Sequence, residues 1–368
     1  MKKYRFKLVM IIMAMIISMM VTDSKTVANS SLESGITLDC ARRYYAPQML
    51  KKYIDVLGKR PNAFLQLHLT DNENVGIECD LLGQSAKTAM VKKGKYINIQ
   101  TGQAFLSNKQ MSGILAYARK KQVMIVPEID TPAHMQGFFK LIKRARGKAY
   151  LKQIKRANYE GELNLNSAVA LKLVKDIYHE YASLFKGCRY FHIGGDEMES
   201  ASDTARIQYI NTISKQLRQS GYLVRIWNDL LTKKNIKQLD KKLQVTYWSY
   251  DGDVESIKSK KSRRKLRASL ADLTNAHFTV LNYNSYYLYY VPSNKDVQRD
   301  RSYMVKDIIK NWNLTKWDGQ ARRSCGNQHY LIGAAISVWG EDSKGVKATT
   351  IYRQSKALYQ AMSNKLNK

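Results

Sequence analysis

The sequence predicts a single (β/α)8 barrel, an α/β fold. Three observations carry that expectation. Eight short runs rich in β-branched and aromatic residues recur over roughly 300 residues, the right number and spacing for a closed barrel. Amphipathic stretches separate them, and strand alternating with helix argues for a parallel sheet. No glycine-rich dinucleotide fingerprint follows the first run, which weighs against an open doubly wound sheet.

The chain begins with Lys2, Lys3, Arg5 and Lys7, then an uncharged run from Leu8 to Val21, then the small-residue stretch Thr26-Val27-Ala28. This is the pattern of a cleaved signal peptide over residues 1–28. The run is shorter than the roughly 20 apolar residues that span a membrane. Export without stable membrane insertion is expected, with a retained anchor as the alternative, and the barrel domain then occupies residues 29–368. Cys40, Cys79, Cys188 and Cys325 are widely spaced and form no C-x-x-C pair. Buried free thiols are expected, and no metal cluster.

The eight runs, in order, are Ile36–Cys40, Ala63–Thr70, Val123–Asp130, Tyr190–Glu197, Leu223–Asp229, Gln244–Tyr250, Phe278–Asn284 and Ile332–Gly340. Helical periodicity marks Met111–Lys121, Ala168–Phe185 and Thr204–Ser220 between them. Nearly every run ends in an acid or aromatic: Asp39, His68 with Asp71, Glu128 with Asp130, Asp196 with Glu197, Trp227 with Asp229, Trp248, Tyr283 to Tyr290, and Trp339 with Glu341. The strand C-termini of a barrel open onto one face, so these residues are expected to meet in one pocket.

A hydrophobic fraction of 44% excludes wholesale disorder. Lys and Arg number 61 against 30 Asp and Glu, a net charge of +31, and +27 remains once the leader's five cations and Asp23 are removed. Such a balance favours polyanionic surroundings. Two segments depart from compact packing: Lys143–Asn166, a basic long connection, and Ser256–Arg267, a dense cationic run that reads as a solvated face or a polyanion contact.

The chemistry concentrates in Phe191-His192-Ile193-Gly194-Gly195-Asp196-Glu197. Successive strand residues point to opposite faces, so neighbouring acids do not ordinarily share a pocket. The two preceding glycines permit a kink that re-aims both. Crowding and burial would then hold a proton on one carboxyl beside an ionised partner, as glycosidic cleavage requires. Adjacent acids are poorly placed to flank a sugar from opposite sides. They suit a reaction in which one acid serves the leaving oxygen and the other a neighbouring 2-acetamido group.

The motifs resemble family 20 glycoside hydrolases, the β-N-acetylhexosaminidases. They are Leu-Asp-Cys-Ala-Arg at 38–42, Leu-His-Leu-Thr-Asp at 67–71, Pro-Glu-Ile-Asp-Thr-Pro-Ala-His at 127–134, His-Ile-Gly-Gly-Asp-Glu at 192–197, Trp-Asn-Asp at 227–229, Tyr-Trp-Ser-Tyr-Asp-Gly-Asp at 247–253, Asn-Tyr-Asn-Ser-Tyr-Tyr-Leu-Tyr at 282–289 and Trp-Gly-Glu-Asp at 339–342. Within the family the chain is most similar to single-barrel, biofilm-degrading members. The resemblance implies that Glu197 protonates the leaving oxygen and that Asp196 orients the N-acetyl group. It gives Tyr287 the acetamido oxygen, Trp227, Trp248 and Trp339 the pocket walls, and Arg42 and Glu341 the sugar hydroxyls. Asp71, Asp130 and His134 would tune Glu197 from behind. Where many members carry an acid after the Tyr-Leu pair, this chain has Tyr289. The implied substrate is a β-linked N-acetylglucosamine polymer, poly-β-1,6-N-acetylglucosamine of biofilm matrix first, and the implied mechanism uses no cofactor. A basic matrix- or wall-binding protein with little catalysis, or a hexosaminidase for chito-oligomers, are the alternatives.

Overall fold

Strand β1 (Glu33–Asp39) pairs on one side with β2 (Ala63–His68) and on the other with β8 (Leu331–Val338), and this last pairing closes a barrel. Between them run β3 (Met124–Thr131), β4 (Tyr190–Gly194), β5 (Leu223–Trp227), β6 (Gln244–Tyr247) and β7 (Thr279–Asn282), each parallel to its neighbours. The computed structural model describes residues 32–198, 200–252, 254, 256–293, 298–319 and 323–366, with no side-chain description for 298–301. The expected leader at 1–28 lies outside the described residues. All eight expected runs are barrel strands, several ending earlier than predicted because their polar ends turn away from the sheet.

Helices α1 (Pro47–Leu57), α2 (Asn108–Lys120), α3 (Gln136–Ile154), α4 (Ala168–Leu184), α5 (Asp203–Gln219), α6 (Ile257–Leu266), α7 (Leu270–Asn275), α8 (Gln298–Asn311) and α9 (Ala348–Leu366) follow the strands. Serine starts five of them. Ser107, Ser167, Ser202, Ser256 and Ser269 each accept a hydrogen bond from a first-turn backbone N–H, satisfying a donor the helix cannot. A small antiparallel sheet of Met90–Lys92, Lys95–Ile97 and Ala104–Phe105 decorates the connection between β2 and α2.

The barrel interior is packed. Phe64, Val126, Tyr190, Trp227, Leu281, Tyr283, Ala335 and Trp339 form one cluster inside it. Buried Arg225 closes the lower end, its guanidinium 3.7 Å from the Tyr190 ring centroid, its Nε bonded to Gln244 Oε1 at 3.0 Å, and its Nη2 paired with Glu33. A filled interior leaves substrate access only at the mouth formed by the strand C-termini.

One expectation needs correction. Residues 143–154 are helical and belong to α3, not to a long connection. The basic residues there are good helix formers, and the helix is interrupted only at Gly147 (φ 81°, ψ 170°). The cationic run forms helix α6 between the caps Ser256 and Arg267, and no residue of it is buried, as a solvated face requires. The four cysteines are free, with Cys40, Cys79 and Cys325 buried. No helix of the described residues is long and apolar enough to cross a membrane.

Candidate active site

The site is built where β4 stops. Gly194 (φ 72°) and Gly195 (φ 92°) both lie in the left-handed region, and so does Glu197 (φ 51°). This elbow breaks strand alternation. Asp196 and Glu197, which a continuing strand would aim to opposite faces, therefore line the same pocket. A Cβ on Gly194 would lie 1.8 Å from Asp130 Oδ1, and one on Gly195 would lie 2.8 Å from Ile226. Only glycine fits either place.

His134, also left-handed at φ 53°, holds the acids together. Its Nε2 is 3.3 Å from Glu197 Oε2 and 3.7 Å from Asp196 Oδ2, and its Nδ1 is 4.0 Å from Asp71 Oδ1 and 3.2 Å from Asn72 Nδ2. Burial favours neutral imidazole, but the carboxylates of Asp196, Glu197, Asp130 and Asp71 outweigh it and hold His134 well above the usual histidine range. Burial pushes Asp196 up to about 6, against the pull of His134 and with the help of Glu197. Asp130 sits deeper. Neither of its carboxylate oxygens has a hydrogen-bond partner among the described residues, and burial followed by the Asp196 charge holds it well above the carboxylate range.

A second network starts at the barrel axis. Glu128 accepts from Trp227 Nε1 at 2.7 Å and Gln66 Nε2 at 2.8 Å and lies 3.1 Å from His68 Nδ1. The other nitrogen of His68 meets Asp71 Oδ2 at 2.8 Å, and that oxygen also pairs with Arg42 Nη2 at 2.8 Å. Arg42 Nη1 reaches Asp39 Oδ2 at 2.9 Å. Burial works against both acids, yet the cationic partners hold Glu128 and Asp71 down at about 2. The chain of charges fixes the guanidinium at the pocket mouth, 5.8 Å from the Trp339 ring. Ligand-type atoms of His68, Asp71 and Asp130, and of Asp130, His134 and Asp196, lie within 4.8 Å of one another. In both sets the histidine nitrogens are already engaged by carboxylates of the same network, which suits proton relay better than metal ligation.

Trp227 is the floor. Trp248 is a wall, its Nε1 bonded to Asp229 Oδ2 at 2.5 Å and its backbone N–H to Asn228 Oδ1 at 3.0 Å. Tyr289 stacks on Trp248 with centroids 6.5 Å apart and leans on Trp339 at 5.9 Å. Arg42, Asp71, His134, Asp196, Glu197, Trp227, Trp248, Trp339 and Glu341 are thus brought together, with Asp130 immediately behind. Tyr287 is not. It lies in the hydrophobic core, its ring 4.7 Å from that of Tyr286, and Tyr289 lines the pocket in its stead. Sequence reasoning also missed Ser337, on β8. Strand alternation could not have found Tyr289, because Tyr287 sits in a turn (N–H to Asn284 O) and only Tyr289–Tyr290 pair with β8.

One face of the pocket thus carries two side-by-side carboxyl groups bridged by a cationic imidazole, and the others carry aromatic rings, an arginine and a rim carboxylate. This arrangement can protonate an oxygen, receive an amide N–H and pack a sugar ring.

A model described as the catalytic domain of glycosyl hydrolase family 20 matches residues 34–207. The crystal structure of Dispersin B superposes with a TM-score of 0.88 at 40% identity, covering 92% of this chain and 100% of that one. A β-N-acetylhexosaminidase from Bacteroides fragilis shares the fold at a TM-score of 0.65 and 20% identity, covering 90% of this chain and 65% of that one. The probable beta-hexosaminidase of Arthroderma benhamiae is 25% identical over 174 residues, 45% of this chain and 26% of that protein. Beta-hexosaminidase 3 of Arabidopsis thaliana is 23% identical over 241 residues, 61% of this chain and 41% of that protein. The chain therefore spans well under half the length of these two relatives.

Proposed function

This chain belongs to glycosyl hydrolase family 20, and from that premise we propose that it is an exported β-N-acetylglucosaminidase that cleaves β-linked N-acetylglucosamine chains with substrate assistance and retention. The observation that carries this reading is the elbow at Gly194-Gly195, which puts Asp196 and Glu197 side by side on one pocket wall, within 3.7 and 3.3 Å of the same histidine nitrogen.

In the proposed reaction the acetamido oxygen attacks the anomeric carbon as the glycosidic bond breaks. Glu197 gives its proton to the leaving oxygen. The ionised Asp196 accepts the amide N–H and offsets the positive charge of the oxazolinium ring. Water then loses a proton to Glu197 and attacks the anomeric carbon, reopening the ring and restoring the starting configuration. In this reading Tyr289, which lines the pocket where Tyr287 does not, donates to the acetamido oxygen. Arg42 and Glu341 bind sugar hydroxyls through charge-assisted hydrogen bonds, and Trp227, Trp248 and Trp339 pack on the C–H faces. The substrate suggested by the family resemblance is poly-β-1,6-N-acetylglucosamine. The excess of basic residues adds a second contact, with anionic matrix or wall polymers.

The purified protein should release nitrophenol from the aryl β-N-acetylglucosaminide, be blocked by the thiazoline analogue of N-acetylglucosamine, and leave the aryl β-glucoside intact. No release anywhere between about pH 4 and pH 8 would remove the activity. Products from β-1,6 and β-1,4 oligomers offered together decide the linkage.

A further inference from the structure

Glu162 is a buried acid that the chemistry above does not use. It is only 5% exposed, and it lies in the connection from α3 to α4, outside the residues that line the pocket. Burying a carboxylate is unfavourable unless hydrogen-bond partners meet it. The partners of this one link two loops on which the proposed reaction depends.

The connection runs extended beside the turn that carries His134. Gly161 O accepts from the Met135 N–H at 2.9 Å, and the Leu163 N–H donates to Pro132 O at 2.8 Å. The other edge is tied back to α3: the Arg156 N–H donates to Glu162 O at 2.9 Å and the Asn164 N–H to Ile154 O at 2.8 Å. A Cβ on Gly161 (φ 78°) would lie 2.6 Å from Oδ1 of Asn72, the side chain whose Nδ2 meets His134 Nδ1. The backbone on both sides of Glu162 is thus fixed against the His134 turn. Its side chain reaches the loop that follows Glu197, where Oε2 accepts from the Ser200 N–H at 3.3 Å and from Ser200 Oγ.

That loop needs holding. Glu197 has a φ of 51°, a left-handed backbone that a residue with a side chain keeps only where its surroundings impose it. The next residue, Met198, is buried, and its carbonyl accepts from Nη2 of Arg206 on α5 at 3.1 Å. Glu162 supplies a second attachment at Ser200. The 3.3 Å contact from His134 to Glu197 therefore joins two loops inside the pocket, and Glu162 joins the same two loops outside it.

We propose that Glu162 is a positioning residue for proton donation. It fastens the loop after Glu197 to the His134 turn, and so sets where the Glu197 carboxyl stands relative to the leaving oxygen. The inference rests on the hexosaminidase reading and deepens it. A displaced acid harms only a step that needs its proton. A weakly acidic leaving group needs that proton to depart, whereas a strongly acidic phenol leaves as its anion. Loss of Glu162 is therefore felt in proportion to the basicity of the leaving group, a pattern that general loosening of the fold does not produce.

The test compares the phenyl and dinitrophenyl β-N-acetylglucosaminides. Glu162→Ala should lower kcat/KM on the phenyl glycoside by roughly 10- to 100-fold, the usual loss from a misplaced group, and on the dinitrophenyl glycoside by no more than about threefold. Glu162→Gln keeps an oxygen acceptor for Ser200 and should stay within about threefold of the parent on both. Ser200→Ala keeps the carboxylate and the backbone donor and should show the same selectivity, with a loss of about 2- to 10-fold on the phenyl glycoside alone. Equal losses on the two glycosides in Glu162→Ala, or parental values on both, overturn the proposal. If that variant does not fold, Ser200→Ala decides, and an unchanged ratio between the glycosides overturns it. A parent that hydrolyses neither glycoside would instead defeat the hexosaminidase reading, so the two failures are distinguishable.

Discussion

At the residue scale, two tyrosines two positions apart have unrelated fates. Tyr287 fills core beside Tyr286, and Tyr289 stands between Trp248 and Trp339 among the charges of Arg42, Glu341, Glu197 and Asp196. Tyr289→Phe should therefore lower kcat/KM on the aryl N-acetylglucosaminide by about 10²- to 10³-fold, the usual loss for one donor to a developing charge, at an unchanged melting temperature. Tyr287→Phe should stay within about twofold, because the ring that packs is kept. Equal losses in both variants would return the acetamido contact to Tyr287. Glu197→Gln should lose roughly 10²- to 10⁴-fold, the range for general acid–base catalysis. Asp196 sets the acidic side of the rate profile. Burial brings it up to about 6, and the reaction needs it ionised, so kcat/KM should rise with pH through about 6. In Asp196→Asn that limb should vanish along with most of the activity.

At the element scale, the decisive feature is the end of β4. The glycine pair before two acids was legible in the sequence as a kink, and so were eight strands with polar ends. Hydrophobic periodicity and strand-end chemistry are local signals. What remained hidden was set by tertiary contacts. Nothing local separates Tyr287 from Tyr289, and the non-helical Gly147 masks the continuation of α3 through residues 148–154. The elbow also makes a sharp claim. Gly194→Ala would place a methyl 1.8 Å from Asp130 Oδ1 at a φ of 72°, so either the carboxyl or the strand end must move. The expected result is a loss of about 2 kcal/mol or more in stability and a fall in kcat larger than any rise in KM, since Asp196 and Glu197 hang from the displaced backbone. Thermal unfolding and steady-state kinetics on the same preparation check both. An alanine variant with parental kinetics would mean that the acids do not depend on the elbow.

At the scale of the whole molecule, stability and activity are pulled to different pH. Glu128 and Asp71 are held at about 2, below their unfolded values. Their stabilisation is full above about pH 4.5, the unfolded range, and is lost as pH falls towards about 2. Asp196 has the opposite sign. Its folded value of about 6 lies above the ordinary aspartate value of 3.8, so the folded state holds the proton more tightly and stability declines as pH rises from about 4 through about 6. Ionising it costs on the order of 3 kcal/mol, and Asp130, buried behind it, adds in the same direction. Asp196 alone thus pulls the stability maximum below the pH at which the proposed catalyst works, because the carboxylate that would steady the oxazolinium ring is held in a place that resists its charge, while His192, held down at about 4 by burial, pulls the other way between its unfolded and folded values. Asp196→Asn separates the two demands. It should melt several degrees above the parent near pH 7.5, where the parent carries the buried charge, and show no gain near pH 4, where the parent is protonated. A gain of the same size at both pH values would mean that packing, not the charge, is what the asparagine relieves.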